Sequence, residues 1–241
     1  MNTEEAARAT TDAVSSLPAG FMLDAATYAH GAELGFDGID FYTAGRGGAL
    51  GDVDGDVVAA TFVFFNPVKV AEGWERSASV MSRREAATAF AGCLRTWAEA
   101  HLGDEVDYGR LAALLAKVVA AASPAAAPLF AAWRAMAEPN DPKALALHRL
   151  NVLRELRGAV HGAAVLASGL EPLEAVLIRS PVMVGVFGWP EPYPEVDTLR
   201  GAWEQAEQAT NRVLARAFGA LDESERAELV DLAVTAHKGA A

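Results

Sequence analysis

The stretch from Leu147 to Gly162, LHRLNVLRELRGAVHG, most constrains what this chain can fold into. At about 100° per residue, a helix through it gathers Arg154, Arg157 and His161 within an arc of roughly 60°. His148, Asn151 and Glu155 fall within a second arc of similar width. Leu147, Leu150, Leu153, Val160, Ala163, Ala164 and Leu166 supply the apolar positions, so the helix is expected to be largely buried. Ionised groups taken out of water need partners. Two polar stripes on an apolar helix therefore imply internal ion pairs, a site, or both.

The flanking sequence predicts helices throughout. Thr3 to Ser16 is Ala-rich with Thr3 as its N-cap and stops at Ser15-Ser16-Leu17-Pro18, and Asp24 to Leu34 forms a second short helix. Asp54 or Asp56 caps a helix over Val57 to Phe65, punctuated by Asn66-Pro67. Ser82 with Glu85 matches a capping box at the head of a helix that runs to His101, with Phe90, Leu94 and Trp97 at helical spacing. Tyr108 to Ala122 and Pro124 to Met136 follow, and the turn Pro139-Asn140-Asp141-Pro142 starts the central helix over about 142–168, closed by Gly169. A short helix from Glu171 to Arg179 succeeds it, and two helices, Asp197 to Leu221 and Asp222 to His237, end the chain.

The fold class that follows is all-α, a compact multi-helix domain around the central helix. Residues 1–179 form the helical core; residues 180–241 hold a Pro/Gly-rich apolar loop at 180–194 and two closing helices packed on that core. An extended segment or one short strand fits the loop, which must pack on something because it is so apolar.

A second unusual stretch runs from Ile39 to Gly51, where an aromatic segment leads into glycines at 45, 47, 48 and 51 around Arg46. Such glycines permit positive φ and close backbone approach, and a tight helix-to-helix turn is the simplest expectation. Neither a phosphate loop nor a dinucleotide fingerprint is present. Asp52-Val53-Asp54-Gly55-Asp56 starts like a calcium loop, but Val63 stands where the twelfth-position glutamate belongs, so calcium is rejected.

Bulk properties narrow the function. With 32 acidic and 20 basic residues the net charge is −12, and only Arg83-Arg84 adjoin, so nucleic-acid binding is not expected. No apolar run reaches the ~20 residues that span a bilayer. The single Cys93 cannot form an internal disulfide and no cationic leader opens the chain, which points to the reducing cytoplasm. Cys93 lies between Phe90 and Leu94 as a buried, inert thiol, and no nucleophile elbow is present. His148 and His161 are thirteen residues apart, ~20 Å along one helix, too far to share a metal. One histidine would suffice as a haem ligand, but no attachment motif supports it, so no metal is expected and no cofactor is named.

Tyr42, Ala44 and Arg46 with Leu50-Gly51, Val57 to Phe62 followed by Pro67, and His148 with Leu153-Arg154-Glu155, Arg157-Gly158 and His161 carry a resemblance, joined by Gly169-Leu170 and Leu173-Glu174-Ala175. The chain resembles an uncharacterised, mostly bacterial family described as helix-turn-helix-like and sometimes called EvbL. The resemblance implies a transcriptional regulator or partner-binding protein with a winged helix-turn-helix before the last helices. Here that region is Ser180 to Pro194, too short and too rich in proline for a recognition helix and wing.

The resemblance supplies no chemistry, so the site is argued from residues. If Tyr42 and Arg46 meet His148, Arg154, Glu155 and Arg157, the site holds several cationic donors suited to a small organic anion such as a carboxylate, phosphate or enolate. His161 is then the candidate catalytic residue, a proton carrier because its unperturbed pKa lies near neutrality. In the competing reading Gly158, Gly162 and Ala163 let a neighbouring helix approach and a buried Glu or Asp holds Arg157. The expected partner is a small anionic ligand, and a homodimer is compatible with the sequence.

Overall fold

The computed structural model of the chain describes residues 1–240. Those residues are 72% helical and contain no strand, which is what recurrent helical periodicity without alternation requires. In chain order the helices are α1 (Thr3–Ala9), α2 (Thr11–Leu23), α3 (Ala25–Glu33), α4 (Asp40–Gly47), α5 (Gly55–Thr61), α6 (Pro67–Ser77) and α7 (Arg83–His101). They continue as α8 (Tyr108–Ala121), α9 (Pro128–Arg134), α10 (Pro142–Ala167), α11 (Pro172–Arg179), α12 (Arg200–Phe218) and α13 (Glu223–Gly239).

The central helix α10 packs against α2, α7, α8, α9 and α12. Asp141 caps it by accepting from the Ala144 N–H at 2.9 Å, Pro142 occupies the first turn where no N–H is needed, and Gly169 at φ 80° ends it. Leu147, Leu150, Val152 and Leu153 are buried on its core face. A smaller satellite core, formed by Val165, Leu170, Ala175 and Ala206, lies where α11 and α12 meet the end of α10.

Several sequence expectations need correction. The N-terminal helix is two helices: Asn2 caps α1, the break falls at Thr10, and α2 runs through Pro18. A proline there forgoes one helical hydrogen bond, which the burial of Leu17, Pro18, Phe21 and Met22 offsets. Asn66-Pro67 is not a terminator but the start of α6, with Asn66 Oδ1 accepting from the Val68 and Lys69 N–H groups at 3.0 and 3.3 Å. α5 therefore stops at Thr61 and α9 covers only Pro128–Arg134. The glycine-rich stretch is helix α4 followed by the 3-10 turn Gly48–Leu50, with positive φ only at Gly51. Its glycines serve close packing: a Cβ on Gly45 would fall 2.4 Å from Phe90 Cβ.

Ser180 to Pro194 contains no strand. The Phe187 carbonyl accepts from the Asn66 N–H at 2.8 Å, and Trp189 Nε1 donates to the Phe64 carbonyl at 2.9 Å. The Phe187 ring lies 4.3 Å from Phe65. This loop is thereby fastened to the segment between α5 and α6. No single helix among the described residues is long and apolar enough to cross a membrane; α10 with α11 passes that test jointly but bends by 109°.

Candidate functional site

A cavity of about 230 Å³ opens where the main core, the satellite core and the 180–194 loop meet. Its polar wall holds Arg46 from α4, Arg154, Arg157 and His161 from α10, and Arg179 from the end of α11. Facing them are the rings of Phe62, Phe64, Phe65, Phe187 and Trp203. Two stretches far apart in sequence thus contribute to one space, because α4 supplies Arg46 and α10 presents successive turns.

The polar residues are not equivalent. Arg46 is buried and bidentate to Glu155, Nε to Oε1 at 2.9 Å and Nη2 to Oε2 at 2.8 Å, and its Nη1 donates to the Tyr42 hydroxyl at 3.2 Å. Its Cζ lies 4.4 Å from the centre of the Phe62 ring. Burial opposes both charges, yet each partner outweighs it: Glu155 holds Arg46 above its ordinary pKa, and Arg46 with Arg154 holds the Glu155 carboxyl below its own. Arg154 Nη1 reaches Glu155 Oε1 at 3.3 Å. Tyr42, stacked on Phe65 at 5.4 Å, and Glu155 therefore stand behind the wall as supports for Arg46.

Arg157 Nη2 donates to Glu207 Oε2 of α12 at 2.6 Å, while Glu207 Oε1 lies 3.4 Å from His161 Nε2. The Thr210 hydroxyl donates to the Ala206 carbonyl at 2.7 Å, so His161 Nδ1, 3.0 Å away, is best placed to donate to Thr210 Oγ. Burial pushes the His161 pKa down to about 4, with Glu207 opposing and Arg157 assisting. Burial thus favours the uncharged ring, while the Glu207 carboxylate beside Nε2 favours the charged one. Arg157 is held by a carboxylate, as the packing reading expects, and also lines the cavity.

His148 does not reach this site. It is buried beside Trp133, ring centres 6.2 Å apart, and burial lowers its pKa to about 4. Asn151, beside it on the same stripe, is fully buried with neither side-chain polar atom bonded. That stripe belongs to the core, except for Glu155. No neighbour packs on Gly158, where a Cβ would meet nothing within 4 Å; Gly162 is the packed one, since a Cβ there would fall 2.8 Å from Val63 Cγ1.

Sequence reasoning missed Arg179, Trp203, Phe187 and Glu207. Trp203, Glu207 and Thr210 lie three or four residues apart on α12, a spacing that could have marked a face turned toward α10. Two buried donors of the site, Arg157 Nε and Trp203 Nε1, have no hydrogen-bond partner. No group of three or more metal-ligating side chains occurs among the described residues.

Geometry of this kind defines an all-α protein with an arginine-lined, partly open pocket. A family model described as "Helix-turn-helix family" matches residues 7–200, most of the chain and all the helices that build the cavity except α12, and the chain belongs to that family. No curated protein and no solved structure matches it.

Proposed function

We propose that the cavity binds a small organic anion. One observation carries this reading: four arginines line one cavity, and their only carboxylate partners among the described residues are Glu155 and Glu207. Two positive charges stay unmatched within a chain of net charge −12. An excess of that sign, set against apolar rings, favours a negative ligand through charge-assisted hydrogen bonds. His161, set between Glu207 and Thr210, enters as a polar contact, and binding is the primary activity.

The test is thermal unfolding of the wild-type chain with a panel of carboxylates, phosphate esters and sulfonates, repeated on Arg157→Ala. An anion at a hundred times its Kd should add about 2.7 kcal/mol of stability. The reading fails if no member of the panel raises Tm, or if Arg157→Ala responds like wild type.

Membership of a helix-turn-helix family favours a second reading, a regulator in which the cavity senses the anion. α5 and α6 are two helices joined by a short turn, but on α6 Lys69 pairs with Glu72, and Arg76 with Asp40, leaving no basic face for a phosphate backbone. A gel-shift titration with duplex DNA discriminates: salt-sensitive binding near physiological ionic strength would promote the regulator.

A further inference from the structure

We infer that the anion is an aromatic carboxylate, its carboxylate held by Arg154 and Arg179 and its ring laid against Phe64, Phe187 and Trp203. The inference rests on the anion-binding reading and narrows it to a chemical class.

The donors come first. Arg46 spends its donors on Glu155 and Tyr42, so it forms wall rather than ligand contact. Arg157 is tied to Glu207. Arg154 makes a single 3.3 Å bond to a carboxylate already engaged by Arg46, and Arg179 has no acidic partner among the described residues. These two guanidinium groups retain most of their donors, and a planar fork of N–H groups matches a carboxylate.

The backbone around the cavity separates a carboxylate from a phosphate. Phosphate sites draw on free N–H groups at helix N-termini. None of the first three residues of any helix lines this cavity. Instead the C-terminal ends of α5 and α11, at Thr61-Phe62 and Arg179-Ser180, line it. A phosphate would find no amide cradle there, whereas a carboxylate needs only the guanidinium groups.

The apolar wall selects the rest of the molecule. Phe64 stands 5.5 Å from the His161 ring, and Phe187 arrives from the loop pinned by Trp189, so the aromatic faces come from separate elements around one space. Such walls favour a flat ring through offset and edge-to-face contacts over a flexible chain that must lose rotamer freedom.

Isothermal titration of the full chain with 1-naphthoate, decanoate and 1-naphthyl phosphate tests this. Naphthoate should bind one per chain, about tenfold or more tighter than either competitor, and Arg154→Gln and Arg179→Gln should each weaken it about tenfold. Arg179 is exposed and Arg154 half-buried, so both variants should fold; Arg→Lys at the same position replaces one that does not. Decanoate or naphthyl phosphate binding as tightly as naphthoate would overturn the aromatic-carboxylate class while leaving an anion site. Wild-type affinity in either glutamine variant would overturn the placement of the carboxylate. If none of the three probes binds, this inference falls, and the anion-binding reading falls with it only where the wider panel of carboxylates, phosphate esters and sulfonates also leaves Tm unchanged.

Discussion

Arg46 of α4 and Glu155 of α10, 109 residues apart in sequence, form a bidentate ion pair with both side chains buried. The pair fixes where α4 sits against the central helix and sets the floor of the cavity. Removing one partner strands the other charge in a medium that cannot solvate it. Arg46→Met or Glu155→Leu alone should cost about 3–5 kcal/mol, and the double variant less than the sum of the two. Urea unfolding of the three variants checks this; additive losses would mean that the two charges are solvated independently.

Acid should unfold the protein before its carboxylates titrate in full. His148 and His161 are both lowered from 6.5 to about 4 by burial, so the unfolded chain binds protons that the folded one refuses. Their contribution is complete above about pH 6.5 and is lost as pH falls toward 4, up to about 3 kcal/mol for each ring. Glu155, whose folded pKa is also depressed, adds a further loss at lower pH, below its unfolded value of 4.5. His148→Phe should flatten the pH dependence of the unfolding midpoint between 6.5 and 4. An unchanged slope would show that His148 is protonated in the fold.

Arg157 distinguishes support from binding. Its pair with Glu207 is partly solvated, with side-chain exposures of 12% and 22%, so Arg157→Ala should cost only about 1–2 kcal/mol. The same change should weaken anion binding, because it leaves the Glu207 carboxylate uncompensated beside the cavity. A loss of stability as large as that of Arg46→Met would identify Arg157 as structural.

The central helix was legible because its caps, length and polar stripes all agree, and the side-by-side placement of Arg154, Arg157 and His161 follows from helical spacing alone. What each stripe does was not legible. Spacing puts His148, Asn151 and Glu155 on one face, but only the surrounding helices decide that this face meets core rather than cavity. α4 was hidden for a related reason: glycines at 45, 47 and 48 look like a turn, whereas here they let Phe90, Val58 and Arg83 come close to a helix. α6 was missed because Asn-Pro ends one helix and caps the next with equal ease. Arg179 reaches the cavity through the 109° bend between α10 and α11, and Trp203 through the chain reversal at 180–199, neither of which a local pattern specifies.

Two glycines with opposite surroundings give a test of the cavity itself. Gly45 has Phe90 Cβ 2.4 Å from where its own Cβ would stand, so Gly45→Ala must force α4 and α7 apart, at a cost of about 1–3 kcal/mol or more. Gly158 lies in the middle of α10, lines the cavity, and has nothing within 4 Å of its Cβ position. Gly158→Ala should therefore stabilise the protein by about 0.5–1 kcal/mol, the difference in helix propensity. Gly158→Leu goes further, because its side chain would occupy the space between Arg154, Arg157 and His161. It should keep the fold, with Tm equal to or above that of wild type, and lose anion binding although every polar group remains in place. Calorimetric titration beside thermal unfolding separates the outcomes: a Gly158→Leu variant that binds as wild type would place the ligand outside this cavity, and one that unfolds would mean that the space at Gly158 is not there to be filled.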